Sequence, residues 1–137
     1  MNYTQFNFTI WTLRLVSSLI LIQTLCFKFS ASTVSVYIFS RLGIEPWGRI
    51  SLGFVELVAA LLILIPRTSS VGALMAACVM TGAIIAHLTM LALVVQNDGG
   101  AHFILAIAVF ICSTLLVIIF KRQLKNFSRL KWSNPRR

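Results

Sequence analysis

Acidic side chains are almost missing from this chain: three of them, Glu45, Glu56 and Asp98, stand against 12 Lys and Arg in 137 residues. All charged residues together make up 11%, where a soluble globular domain carries about 25%. An ordinary water-soluble domain is excluded. Cysteine is also scarce, since Cys26, Cys78 and Cys112 all lie in apolar runs with no CxxC or paired spacing. A disulfide framework and a zinc site are therefore not expected, and the three thiols read as small core hydrophobes. Histidine is limited to His87 and His102, and no residues show metal-ligand spacing.

Apolar residues dominate instead, at 58% of the chain, and they come in long runs. A helix that spans a bilayer needs roughly 20 mostly apolar residues, and four such runs predict spans at about 10–27, 47–65, 70–95 and 101–120. The second stops at Pro66, which cannot continue a helix. The fourth follows Asn97-Asp98-Gly99-Gly100, where Asp98 is placed to cap the helix and the glycines permit a tight turn. The fold class is an all-α polytopic membrane protein, a four-transmembrane-helix bundle over residues 1–120 with a basic tail over 121–137. No room remains for a soluble catalytic domain.

Lys and Arg set the orientation, because cytoplasmic flanks are enriched in them. Arg67 and seven cations of the tail, Lys121, Arg122, Lys125, Arg129, Lys131, Arg136 and Arg137, fall on one side, which places both termini in the cytoplasm, of a bacterial inner membrane. The first span is expected to be retained rather than cleaved as a signal peptide, because Arg14 comes late and Lys28 stands just before Ser30-Ala31-Ser32. The long first connection contains a short helix: Ser32 and Thr33 can cap it, Val34 to Leu42 fill it, and Gly43 can end it. It should lie in the outer interface, with Trp47 at the headgroup level and Asp98 and His102 on the same outer side. The tail repeats Leu124, Phe127 and Leu130 at helical spacing among its cations and carries Trp132, which fits anionic inner-leaflet lipid rather than nucleic acid.

Ionisable residues inside spans cost about 2.5–3.5 kcal/mol each on insertion scales. Glu56 lies about 13 Å below the boundary marked by Trp47, at 1.5 Å per residue. His87 lies about 12 Å below the same boundary if the third span reaches Val95. Arg14, Ser18, Leu21, Leu25 and Lys28 share one face of the first span, so Glu56 is bracketed by cations. Arg49, Gly53, Glu56 and Ala60 form a stripe on the second span. Gly72, Ala76, Ala83 and His87 do so on the third, with Gly82 and Ala86 as a second small pair; such stripes are helix-packing surfaces in lipid. Glu56 is then either a structural group, protonated or paired with Arg14, Arg49 or His87, or part of a polar site for a proton, a cation or a lipophilic carbonyl compound. His102 falls in the first turn of the fourth span, very roughly 10 Å from the depth of His87, so a bis-histidine haem is not expected. Gln23 points away from the cationic stripe, toward another helix or subunit.

The motifs Leu13-Arg14-Leu15, Phe27-Lys28-Phe29, Glu45-Pro46-Trp47-Gly48-Arg49, Gly53-Phe54-Val55-Glu56-Leu57, His87-Leu88-Thr89 and Asn97-Asp98-Gly99-Gly100 follow in order over about residues 11–120. In that order and spacing the chain resembles the DoxX family of small four-helix membrane proteins. The resemblance implies a bundle that gathers Arg14, Lys28, Glu56 and His87 near a shared site. It also implies a link to redox systems, because the family is named for a subunit associated with a terminal quinol oxidase. Three functions stay open: a non-catalytic subunit, anchor or assembly factor of a redox or envelope complex; an oxidoreductase acting on quinone or quinol; and a small proton-coupled transporter. The site expected for a quinone-like or lipid ligand is Arg14, Lys28, Arg49, Glu56 and His87. Membrane lipids are the expected partners, with a membrane protein or a second copy of the chain beside them.

Overall fold

The computed structural model describes residues 3–91, 93–95 and 97–132, the side chains of 3, 4 and 122–132 excepted. Five helices follow one another: α1 (Tyr3–Phe29), α2 (Thr33–Arg41), α3 (Trp47–Leu64), α4 (Ser69–Thr89) and α5 (Ala101–Trp132). Four are long and apolar enough to cross a membrane, namely Gln5–Phe29, Trp47–Leu64, Ser69–Thr89 and Ala101–Lys121. Helix α1 packs against α3 and α5, and α4 packs against the same two, so the four spans close into a ring. Short connections make sequential neighbours antiparallel, which leaves one end of the bundle marked by α2 and the other by Pro66.

The connections form as their residues dictate. The Ser32 side chain accepts a hydrogen bond from Ser35 N–H and caps α2, while Gly43, at φ +71°, adopts the left-handed backbone that ends it. Helix α3 stops as the chain reaches Pro66, and Thr68 Oγ1 donates to the freed Leu62 carbonyl. Helix α5 continues beyond its apolar run, but Phe120 leaves helical geometry (φ −100°, ψ 16°) at the residue where the span was expected to end. The tail side chains of residues 122–137, with their amphipathic pattern, lie outside the described residues.

Predicted stripes become the core. Arg14, Ser18, Leu21 and Leu25 are buried on α1, as are Arg49, Gly53, Glu56 and Ala60 on α3. The tightest approach is between α3 and α4. A Cβ on Gly72 would stand 2.6 Å from the Ile63 backbone nitrogen and 2.8 Å from the Ala59 carbonyl oxygen, so only glycine lets these backbones meet.

Three expectations need correction. The third span ends at Thr89, not Val95; the apolar residues beyond it form a loop anchored by buried Leu91 and Val95, and hydropathy alone does not separate such a loop from helix. Gly82 does not pack against a helix: a Cβ there would meet nothing within 4 Å. Cys26 and Cys78 are exposed and Cys112 is half-buried, rather than core thiols. Gln23 lies on the exposed face of α1.

Candidate functional site

Lys28, in the last turn of α1, reaches Glu56 in the middle of α3. Its ammonium lies 2.8 Å from Glu56 Oε2, and Thr24 Oγ1 lies 3.4 Å from the same oxygen. Glu56 is only 2% exposed, so pairing is what makes its burial tolerable: a carboxylate taken out of water alone is costly by several kcal/mol. Arg49, in the first turn of α3, also faces inward. Its Nε donates to both oxygens of Glu45, at 2.8 and 3.1 Å, and its Nη1 donates to the Lys28 carbonyl oxygen. Arg49 thus ties the end of α1 to the start of α3 and holds Lys28 against Glu56 from behind. The sequence had offered Arg49 to Glu56; its pairing with Glu45 was missed because Glu45 lies in the turn before α3, outside the reach of the helical i,i+4 rule.

Thr24, Lys28 and Glu56 border a cavity of about 370 Å³ at the α2 end of the bundle. Its lining is mostly apolar, from α1 (Ile20, Leu21, Phe27), α4 (Val79, Ala83) and α5 (Leu105, Val109). Ser35, Ile38 and Phe39 of α2 contribute to the same wall. Thr24, Lys28, Glu56, His87 and His102 supply polar groups. Concave sites of about 300–1,000 Å³ with an apolar lining and a few convergent polar groups are the usual form of small-molecule pockets.

Both histidines sit on this cavity, which corrects the depth expected for them. Because α4 stops at Thr89, His87 falls in its last turn, beside the first turn of α5, with its ring 5.6 Å from that of Phe103. His102 packs edge-on against Phe27 at 6.0 Å. Its Nδ1 is 2.8 Å from Asp98 Oδ2. Asp98 also accepts the backbone N–H groups of Val95, Gly100 and His102, so it caps α5 from two residues before the cap position. Burial works to raise the Asp98 pKa. The hydrogen bonds from His102 and from the Gly100, Val95 and His102 backbone outweigh it and bring the group from 3.8 down to about 2. A depressed carboxyl stabilises the fold above its unfolded value, and the contribution is lost as pH falls through the folded one. The difference in thermal stability between wild type and Asp98→Asn should therefore be largest above about pH 4 and vanish toward about pH 2. A constant difference across that range would contradict the capping role.

Arg14 is not part of this cluster. It is 4% exposed near the Pro66 end, where its Nε donates to Ser69 Oγ at 3.1 Å. Its guanidinium lies 5.3 Å from the Trp11 ring and 5.1 Å from the Phe120 ring. The reason lies in the scarcity of acid: Glu45, Glu56 and Asp98 are the chain's only acidic side chains and are held by Arg49, Lys28 and His102. Ring faces substitute, and such contacts reach about 2 kcal/mol when desolvated. Trp47 is 76% exposed at the start of α3.

Among the described residues no His, Cys, Asp and Glu gather into a metal-binding group. The sequence missed Thr24, Ser35 and Phe39 as parts of the pocket, because small polar and aromatic residues in an apolar run carry no distinctive spacing.

Fold and site together define a small integral membrane protein, a four-span helical bundle with a largely apolar cavity that carries a few polar groups on its wall. The chain belongs to the DoxX-like family, which matches it over residues 12–117, in agreement with the resemblance read from its motifs. No curated protein and no solved structure matches it.

Proposed function

We propose that this protein is a non-catalytic subunit, anchor or assembly factor of a redox or envelope complex, whose cavity holds a quinone-like or lipid ligand. The carrying observation is the Lys28–Glu56 pair, 2.8 Å long, set in the wall of a mostly apolar cavity of about 370 Å³. An ionisable residue within a span is costly and is functional by default. The site is Lys28, Glu56 and His87, supported by Arg49 and closed by His102 and Asp98, while Arg14 has a separate place at the opposite end. With Arg67 and the tail cations toward the cytoplasm of a bacterial inner membrane, the α2 end and its cavity face outward.

Native mass spectrometry from mild detergent tests the reading. Wild-type protein should retain a lipophilic ligand, and Glu56→Gln should weaken retention about tenfold, the effect of losing one hydrogen bond to a charged group. Quinol oxidation by the isolated protein would contradict the non-catalytic assignment. A wild-type protein that never carries a ligand would contradict the binding site.

A further inference from the structure

The facing surfaces of α3 and α4 touch at one end and part at the other. On α3, Leu52, Glu56, Ala59 and Ile63 follow at spacings of 4, 3 and 4 and share one face. On α4, Gly72, Val79 and Ala86 follow at sevens and share one face. At the Pro66 end the two faces meet so closely that a Cβ on Gly72 would collide with the α3 backbone. Toward the α2 end the same faces, at Leu52 and Glu56 on one side and Val79 and Ala86 on the other, line the cavity. Gly82, beside them, is exposed, lines the cavity and has open space where a Cβ would be. Helices α3 and α4 thus form a wedge that opens sideways, onto the surface that spanning helices present to hydrocarbon.

The polar wall of the wedge is unfinished. An ammonium has three donors, and Glu56 is the one partner of Lys28 Nζ among the described residues. Both hydrogen bonds that Glu56 accepts there end on Oε2, which leaves Oε1 as an acceptor. A donor and an acceptor stand side by side, while the cations beside the cavity are already matched with carboxylates: Lys28 with Glu56 and Arg49 with Glu45. A hydroxyl group, which both donates and accepts, completes such a wall; a second anion would be repelled by the carboxylate. The volume, about 370 Å³, lies at the low end of small-molecule pockets and suits one chain or ring rather than a whole two-chain lipid.

Resting on the binding site proposed above, we infer that the cavity takes an uncharged lipophile bearing a hydroxyl group, which enters from the bilayer between α3 and α4, past Gly82. Its hydroxyl donates to Glu56 Oε1 and accepts from Lys28 Nζ, and its hydrocarbon lies among Val79, Leu105 and Val109.

Three probes with one hydrocarbon chain test this: farnesol, farnesyl methyl ether and farnesyl phosphate, each added to the full chain in phosphatidylcholine nanodiscs. Farnesol should bind about tenfold or more tightly than the ether, and more tightly than the phosphate. Lys28→Gln should reduce the preference for the alcohol over the ether. Equal binding of alcohol and ether, or tightest binding of the phosphate, would overturn the hydroxyl assignment while leaving the cavity as a binding site. Failure of all three to bind would overturn both. For the route, Gly82→Leu should slow farnesol uptake at least about fivefold, with Ala86→Leu on the same edge as a second variant; unchanged uptake in folded protein would overturn the lateral entrance.

Discussion

Lys28→Met should destabilise the protein by about 3–5 kcal/mol, because it leaves Glu56 buried without its cation. Glu56 is 2% exposed, whereas the Lys28 side chain keeps 13%. The reverse change, Glu56→Leu, should therefore do less harm, about 1–2 kcal/mol, since a lysine near a helix end can turn its ammonium toward water. The double replacement Lys28→Met with Glu56→Leu should return to within about 1 kcal/mol of wild type, as buried pairs replaced by apolar groups of similar volume often do. Unfolding of the four proteins in mixed micelles checks the ordering. Additive losses in the double variant would mean that the two groups do not act as a pair.

Gly72→Val is expected to cost about 3 kcal/mol or to prevent folding, the upper range for forcing atoms into a packed site. The obstacle is backbone, the Ile63 nitrogen and the Ala59 carbonyl at 2.6 and 2.8 Å from the added Cβ, and backbone inside two packed helices has nowhere to move. Gly82→Ala, ten residues along the same helix and facing open space, should change stability by less than about 0.5 kcal/mol. The recovery of folded protein after size-exclusion chromatography separates the outcomes. Similar behaviour of both glycines would contradict the wedge between α3 and α4.

The stripes were legible because helical periodicity is a property of spacing alone: Arg14 to Lys28 on α1 and Arg49 to Ala60 on α3 could be placed on single faces from the sequence, and both turned inward. The α2 cap at Ser32 and its stop at Gly43 were legible for the same local reason. What spacing does not carry is partner choice. Glu56 had several cations within reach, and the pairing with Lys28 depends on the offset between α1 and α3, which only packing sets. Arg14 was grouped with Glu56 by the family resemblance and by the face it shares with Lys28, but its guanidinium turns the other way, to Ser69 at the Pro66 end. The end of α4 was misread because Leu91, Leu93, Val94 and Val95 are as apolar as a helix yet lie outside one, with Asp98 accepting the Val95 N–H. Once α4 is shortened, His87 rises to the level of His102, and a cavity with both histidines on its wall replaces the polar centre expected from depth.

The character of the site turns on which cation holds Glu56. Solid-state NMR measurement of nitrogen–carbon dipolar coupling in bilayers reads this directly, with Glu56 labelled at its carboxyl carbon and the Lys and Arg side-chain nitrogens labelled in separate samples. Strong coupling is expected from Glu56 to the Lys28 ammonium, with Nζ 2.8 Å from Oε2, and none to the Arg14 guanidinium. Coupling of Glu56 to Arg14, with none to Lys28, would contradict the Lys28–Glu56 pair.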